Sequence, residues 1–267
     1  MTKKPTLAVI AGGGCRQIEA ATGVLQAMEA AGIKIDLYRG CSAGACVAAL
    51  HASGVDGNAL ETIIRKTPAK KIFRVCWRHQ IAALFGANIR HVFDGSGLFD
   101  LLKKYMTGAA REKVTVALSI LPRYAPMLAE ATPVTVYGSA AIPELLEPVK
   151  IGPYLCCDGG VRNLIPTPKK LDRSKYGRIY IILSPHNEPG KPPQTRIGRA
   201  IAAILATMDR EECEVVDAWE AEPDVTVLQP PPFTSGLFSW SKGYKLIEHA
   251  RNYAEKKLKG DYEKQNR

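Results

Sequence analysis

Gly40-Cys41-Ser42-Ala43-Gly44 sets a serine between two glycines, after a short apolar run and before a stretch of small residues. This G-x-S-x-G spacing suits nucleophilic acyl transfer. A sharp strand-to-helix turn lifts the hydroxyl into a strained, exposed position, and bare glycines at Gly40 and Gly44 remove the Cβ atoms that would clash. A helix beginning after the serine also aims its N-terminal amides at the site. The same residues fit an ordinary serine N-cap in a glycine-rich turn. The place between a strand and a helix favours the nucleophile.

Acyl transfer also needs donors for a developing oxyanion, each contributing on the order of 3 kcal/mol. Gly12, Gly13 and Gly14 offer backbone N–H groups with no side chains in the way, and Arg16 adds positive field. The competing reading is a dinucleotide fingerprint. Gly12-x-Gly14 fits its first half, but Gln17 stands where the third glycine belongs, and Arg39 holds the place of the acidic residue that would bind ribose.

The serine needs a base. His51 lies nine residues beyond Ser42 on the same expected helix, more than two turns away, and cannot reach back. His186, in "LSPHNEPG", would complete the chain order Ser, Asp, His of an α/β-hydrolase, and His249 is a further candidate. Asp158, in "CCDGGVRNLIP", closes an apolar run before Gly159 and Gly160. Such a turn can present a carboxylate at a strand edge, although Asp-Gly is also a common plain turn.

The elements that must position these groups can be read from periodicity. "TLAVIA" (Thr6 to Ala11) reads as a buried strand, and "IEAATGVLQAMEAAG" as a helix stopped at Gly32. "IKIDLYR" reads as a second strand and "SAGACVAALHASG" as a helix stopped at Gly54. Parallel strands joined by a helix send both loops, "GGGCR" and "GCSAG", to the same sheet edge, where open α/β sheets bind ligands. Further on, Lys103 to Met106 falls within a helix, and "KVTVALSI", "PVTVYGSA", "PYLCCDGG" and "GRIYIILS" read as strands. Helices are expected around Ile197 to Asp209 and Lys242 to Lys259.

Four blocks, "AGGGCR", "GCSAGACVAAL", "GSAAIPELLEPV" and "YLCCDGGVRNLIP", occur in the order and rough spacing of patatin-like phospholipases, which the chain resembles from Thr6 to Ser184. The resemblance implies a three-layer α/β/α sandwich with a mainly parallel central sheet. It implies one domain over residues 1–267, with a helical C-terminal extension over 190–267. It further implies a lipid acyl hydrolase of phospholipase A or esterase type, working through a Ser–Asp dyad without histidine. Carried over, Ser42 is the nucleophile and Asp158 the base. Gly12, Gly13 and Gly14 with Arg16 form the oxyanion hole, Gly40 and Gly44 hold the elbow, and Gly159 and Gly160 form the turn after the base. Three departures stand out: Gln17 replaces a glycine, one extra residue precedes "GVL", and Cys41 holds a place where a small hydroxylated residue is common. Two other readings remain beside this one, a Ser-His-Asp α/β-hydrolase and a non-catalytic lipid-binding protein of the same fold.

Composition sets the outer bounds. The formal charge of +10 suits an anionic partner, and with no nucleic-acid motif a phospholipid surface ranks above nucleic acid. Lys70 to Phe93 interleaves cations with Phe73, Trp77, Leu84 and Phe85, and "PPPFTSGLFSW" exposes further apolar residues. Both fit a peripheral contact with an anionic membrane, and the first fits an amphipathic core helix equally well. No run reaches the roughly 20 apolar residues of a membrane span. Seven cysteines without C-x-x-C read as reduced thiols in a cytoplasmic protein, peripheral at the inner membrane face. Nothing calls for a metal or cofactor, and nothing specifies an oligomeric state. Cys15 and Cys41 flank the expected site, so bulky thiol reagents are expected to block acyl approach.

Overall fold

A computed structural model describes residues 4–72, 74–75, 91–167, 171–186, 214, 216–234 and 243–265. β1 (Thr6–Ile10) leads into α1 (Gly14–Ala30), and β2 (Leu37–Cys41) leads into α2 (Ala43–Ala52). α3 (Gly57–Lys66), α4 (Ala69–Ile72), the short pair β3 (Arg74–Val75) and β4 (Phe93–Asp94), α5 (Ser96–Tyr105) and α6 (Gly108–Lys113) follow. β5 (Val114–Ile120), β6 (Ala125–Glu130), α7 (Pro133–Ser139), β7 (Val149–Ile151) and β8 (Tyr154–Asp158) complete the half that carries Asp158. β9 (Arg178–Ile182), β10 (Val225–Leu228) and α8 (Gly243–Gln265) close the described chain.

The central sheet runs in the order β10-β9-β1-β2-β5-β8-β7, with β6 on the other edge of β5. It is parallel from β10 to β5 and antiparallel from β5 to β7. Strand alternation sorts the apolar residues into two layers. Leu7 and Val9 of β1, with Ile179 and Ile181 of β9, face one cluster. Ala8 and Ile10, with Tyr180 and Ile182, face the other, which α1 and α2 cover. This is the three-layer α/β arrangement that the sequence implies.

Register explains how two distant residues meet. β2 pairs with the first half of β5 and ends with Cys41 opposite Ala117. β8 pairs antiparallel with the second half and ends with Asp158 opposite Leu118. Because β6 occupies the opposite edge of β5 throughout, β2 and β8 share one edge and run at each other head to head. The residue after Cys41 therefore abuts Asp158.

Two sequence expectations change here. "PVTVYGSA" is not a strand: Pro133–Ser139 is helix α7, with Thr132 as N-cap in a capping box and proline in the first turn. Those local start signals override the period-two alternation of Val134 and Val136. The tail is not wholly helical, since β10 adds a strand to the central sheet. α8 does match its expected helix and packs against α1, where a Cβ at Gly23 would overlap the Ile247 carbonyl oxygen. The expected helix at Ile197 to Asp209 lies outside the described residues, as do residues 76–90 of the basic segment and 235–240 of "PPPFTSGLFSW". Lys70 and Lys71 belong to α4, and Val75 pairs with Phe93.

Candidate active site

Ser42 stands between β2 and α2 with φ 51° and ψ −124°, a conformation that non-glycine residues hold only under external constraint. The constraint is packing. A Cβ at Gly44 would overlap the carbonyl oxygens of Ile10 and Ala11, and one at Gly40 would overlap the backbone of Ala45. Both elbow glycines are thus required by close approach, which lets α2 turn back tightly against β1 and β2. The Ser42 N–H donates to Ser139 Oγ at 2.8 Å, and Ser139 Oγ–H donates to the Ala117 carbonyl at 2.6 Å. α7 therefore ties the elbow to β5. Ser139 has no sequence signature of its own, although it lies inside the "GSAAIP" block.

Ser42 Oγ donates to Asp158 Oδ2 at 2.6 Å. The other carboxylate oxygen, Oδ1, accepts from the Gly160 N–H at 2.7 Å, and the Asp158 N–H donates to the Ala141 carbonyl. Asp158 is 4% exposed. Burial pushes its pKa up to about 6, against the lowering effect of the hydrogen bonds from Ser42 and Gly160. A carboxylate raised this way is a better proton acceptor toward a hydroxyl than a solvated one. Gly159 sits where a Cβ would overlap the Ala117 carbonyl, which presses the turn after Asp158 onto β5.

The triple-glycine loop lies beside Ser42: a Cβ on Gly12 would come within 3.3 Å of Ser42 Cβ. Its three amides are not equivalent. The Gly12 N–H donates to the Leu164 carbonyl at 3.0 Å, so that donor is already engaged. Gly13, with φ 138°, is the N-cap of α1, and Gly14, with φ 64°, is its first residue. Their amides sit at the helix N-terminus, where the four leading N–H groups lack intrahelical acceptors. Arg16, in the first turn of α1, is buried. Gln17, the departure from the family pattern, donates from Nε2 to the Ile182 carbonyl at 3.1 Å and so anchors the first turn of α1 to the end of β9.

The candidate histidines His51, His186 and His249 are engaged elsewhere. His51 Nδ1 lies 2.6 Å from Tyr38 Oη and its Nε2 2.7 Å from Glu29 Oε1. His186 Nε2 meets Gln229 Nε2 at 3.0 Å, and His249 Nε2 meets the Pro231 carbonyl at 3.1 Å. Cys15 and Cys41 are buried, and burial pushes the Cys15 thiol well above its usual range. Buried thiols are poorly accessible to bulky reagents, which counts against the expectation that such reagents would block the site. Among the described residues no cluster has metal-ligand composition, and no helix is long and apolar enough to cross a membrane.

An α/β sandwich with a strained serine, a buried carboxylate and bare backbone donors at one sheet edge has the organisation of a hydrolase. The patatin-like phospholipase profile matches residues 8–169, more than half of the chain. The chain belongs to the patatin-like phospholipase family, a family of lipid hydrolases. Among solved structures it resembles VipD from Legionella pneumophila, with 14% identity, a TM-score of 0.57, and coverage of 97% of this chain and 67% of that one. That likeness extends the shared fold beyond the matched segment. A structure of the ExoU–SpcU complex of Pseudomonas aeruginosa also matches, with 15% identity and a TM-score of 0.42. It covers 97% of this chain, which spans about half (52%) of the matched one. No curated protein matches the chain in sequence.

Proposed function

We propose that this chain is a serine acyl hydrolase of lipid esters, probed most directly with phospholipids, in which Ser42 is the nucleophile and Asp158 the general base. The observation that carries the reading is the 2.6 Å hydrogen bond from Ser42 Oγ to Asp158 Oδ2 inside a strained elbow. Ser42 Oγ attacks the ester carbonyl carbon as its proton passes to Asp158. The carbonyl electron pair moves onto oxygen, where the Gly13 and Gly14 amides receive it. Collapse expels the alcohol, which takes the proton from Asp158, and leaves an acyl-enzyme. Asp158 then deprotonates water, which releases the fatty acid and restores Ser42. The Gly12 amide serves a different purpose in this reading: bonded to Leu164, it fixes the loop that presents the other two.

The charge of +10 supports work at the surface of an anionic membrane. The test is hydrolysis of a defined phospholipid by wild type, Ser42→Ala, Asp158→Asn and His186→Ala, with products identified by mass. Turnover lost in the first two variants and kept in the third is the expected result. Loss in His186→Ala as well as in Ser42→Ala would return the reading to a histidine-dependent triad, and no turnover by wild type would favour a lipid-binding protein.

A further inference from the structure

One large cavity among the described residues lies away from Ser42 and Asp158. It is a cleft of about 990 Å³ at the opposite end of the sheet. Thr6, Arg178 and Thr226, at or near the starts of β1, β9 and β10, line it. Gly12–Gly14 and Ser42 follow the ends of β1 and β2, so roughly 20 Å of extended strand and loop separates cleft from dyad. The volume is at the upper end of the range for small-molecule sites.

The walls have two characters. The last turns of α1 contribute Ala27, Ala30 and Ala31, and Ile33, Tyr180 and Leu258 complete an apolar lining. Three alanines in succession along one wall leave a width that larger side chains would fill. The rim is cationic: Lys4, Arg178 and Lys259 line the cleft against one carboxylate, Glu255. Arg178 Nη2 lies 3.5 Å from Thr226 Oγ1, another residue of the lining. Long basic side chains extend apolar stems along such a wall and keep their charged heads at the mouth.

We propose that this cleft binds a single-chain amphiphile with an anionic head, its hydrocarbon chain against α1 and α8 and its head among Lys4, Arg178 and Lys259. An apolar floor excludes a bare phosphate as the best ligand, and an excess of cations disfavours a neutral lipid. A long-chain fatty acid, the product released by the hydrolysis proposed above, has this chemistry. Only that link to a natural occupant rests on the hydrolase reading; the binding site does not. α1 begins at the glycine loop and ends in this cleft, so one helix touches both sites.

The test is calorimetric titration of the full chain carrying Ser42→Ala with oleate below its aggregation concentration, with acetate and monoolein as the head-only and neutral arms. Expected is saturable oleate binding whose stoichiometry falls by one per chain in an added Ala30→Trp variant, which fills the cleft at an exposed helix position. The Lys4→Glu, Lys259→Glu pair should weaken that site by about tenfold or more, while monoolein binds it more weakly than oleate and acetate does not bind. Stoichiometry and affinity unchanged in both variants would overturn the proposal, as would acetate competing on equal terms with oleate. Hydrolysis of a soluble short-chain ester by the same cleft variants on the Ser42 background tests the other reading separately, since its absence in wild type leaves the binding result standing.

Discussion

Asp158 carries two consequences that can be measured apart. As a base it must be ionised, and burial raises its pKa to about 6. Hydrolysis of a soluble ester should therefore rise with pH, with unit slope in log kcat/KM below about 6 and a plateau above; a profile flat from pH 4 to pH 8 would exclude Asp158 as the base. The same shift acts on stability with a defined sign. A carboxyl whose folded pKa lies above its ordinary value near 4 holds its proton more tightly when folded, so its contribution is complete below about pH 4 and lost as pH rises to about 6. Above that window the ionised group is a net cost on the order of 2–3 kcal/mol. Asp158→Asn should accordingly abolish turnover yet raise the denaturation midpoint at pH 7, read by urea unfolding. Glu19 repeats this logic outside the chemistry. It is fully buried, neither oxygen has a hydrogen-bond partner among the described residues, and its pKa is pushed up to about 8 by burial. Glu19→Gln should remove the part of the stability loss that wild type shows between about pH 4 and pH 8.

At the scale of elements, the site depends on how α7, β2, β5 and β8 are joined. Ser139 on α7 accepts from the Ser42 N–H and donates to the Ala117 carbonyl of β5. Ser139→Ala would leave a buried donor and a buried acceptor without partners, at about 1–3 kcal/mol each. Because the lost bond fixes the elbow, kcat should fall at least tenfold with KM little changed, whereas a purely structural role would lower Tm and leave kcat of the folded fraction intact. The Tyr38–His51–Glu29 chain is the contrasting case. It joins β2, α2 and the end of α1, and Glu29 also accepts from the Gly57 N–H at the start of α3. His51→Ala should reduce stability by about 1–3 kcal/mol while sparing hydrolysis, as measured by unfolding and ester turnover. Sequence periodicity located β1, α1, β2 and α2 because each has its own apolar pattern and stop signal. It misread α7 because seven residues with alternating valines satisfy a strand pattern, and only the cap at Thr132 tells otherwise.

For the molecule as a whole, the two ends of the sheet carry different features: Ser42, Asp158 and the glycine loop at one, an apolar cleft with a cationic rim at the other. The sequence determined by itself that a glycine-flanked serine would sit on a strand-to-helix turn, that a triple-glycine loop would emerge at the same edge, and that Asp158 was a candidate base. These are local facts, written in residue type and spacing over a few turns of chain. It also separated this protein from dinucleotide binders through Gln17 and Arg39. Which of Asp158, His186 and His249 meets Ser42 was a different kind of question, and on the residues alone it stayed open. Its answer lies in β-register, since β2 and β8 share one edge of β5 and end at adjacent positions, Ala117 and Leu118. Pairing between strands more than 100 residues apart leaves no periodic trace in either strand. The occupation of the Gly12 amide by Leu164, the anchoring of the elbow through Ser139, and the cleft between α1, α8 and the starts of β1, β9 and β10 are of the same kind. Each depends on which backbone groups packing brings within hydrogen-bond or van der Waals range, and the tertiary structure alone decides that.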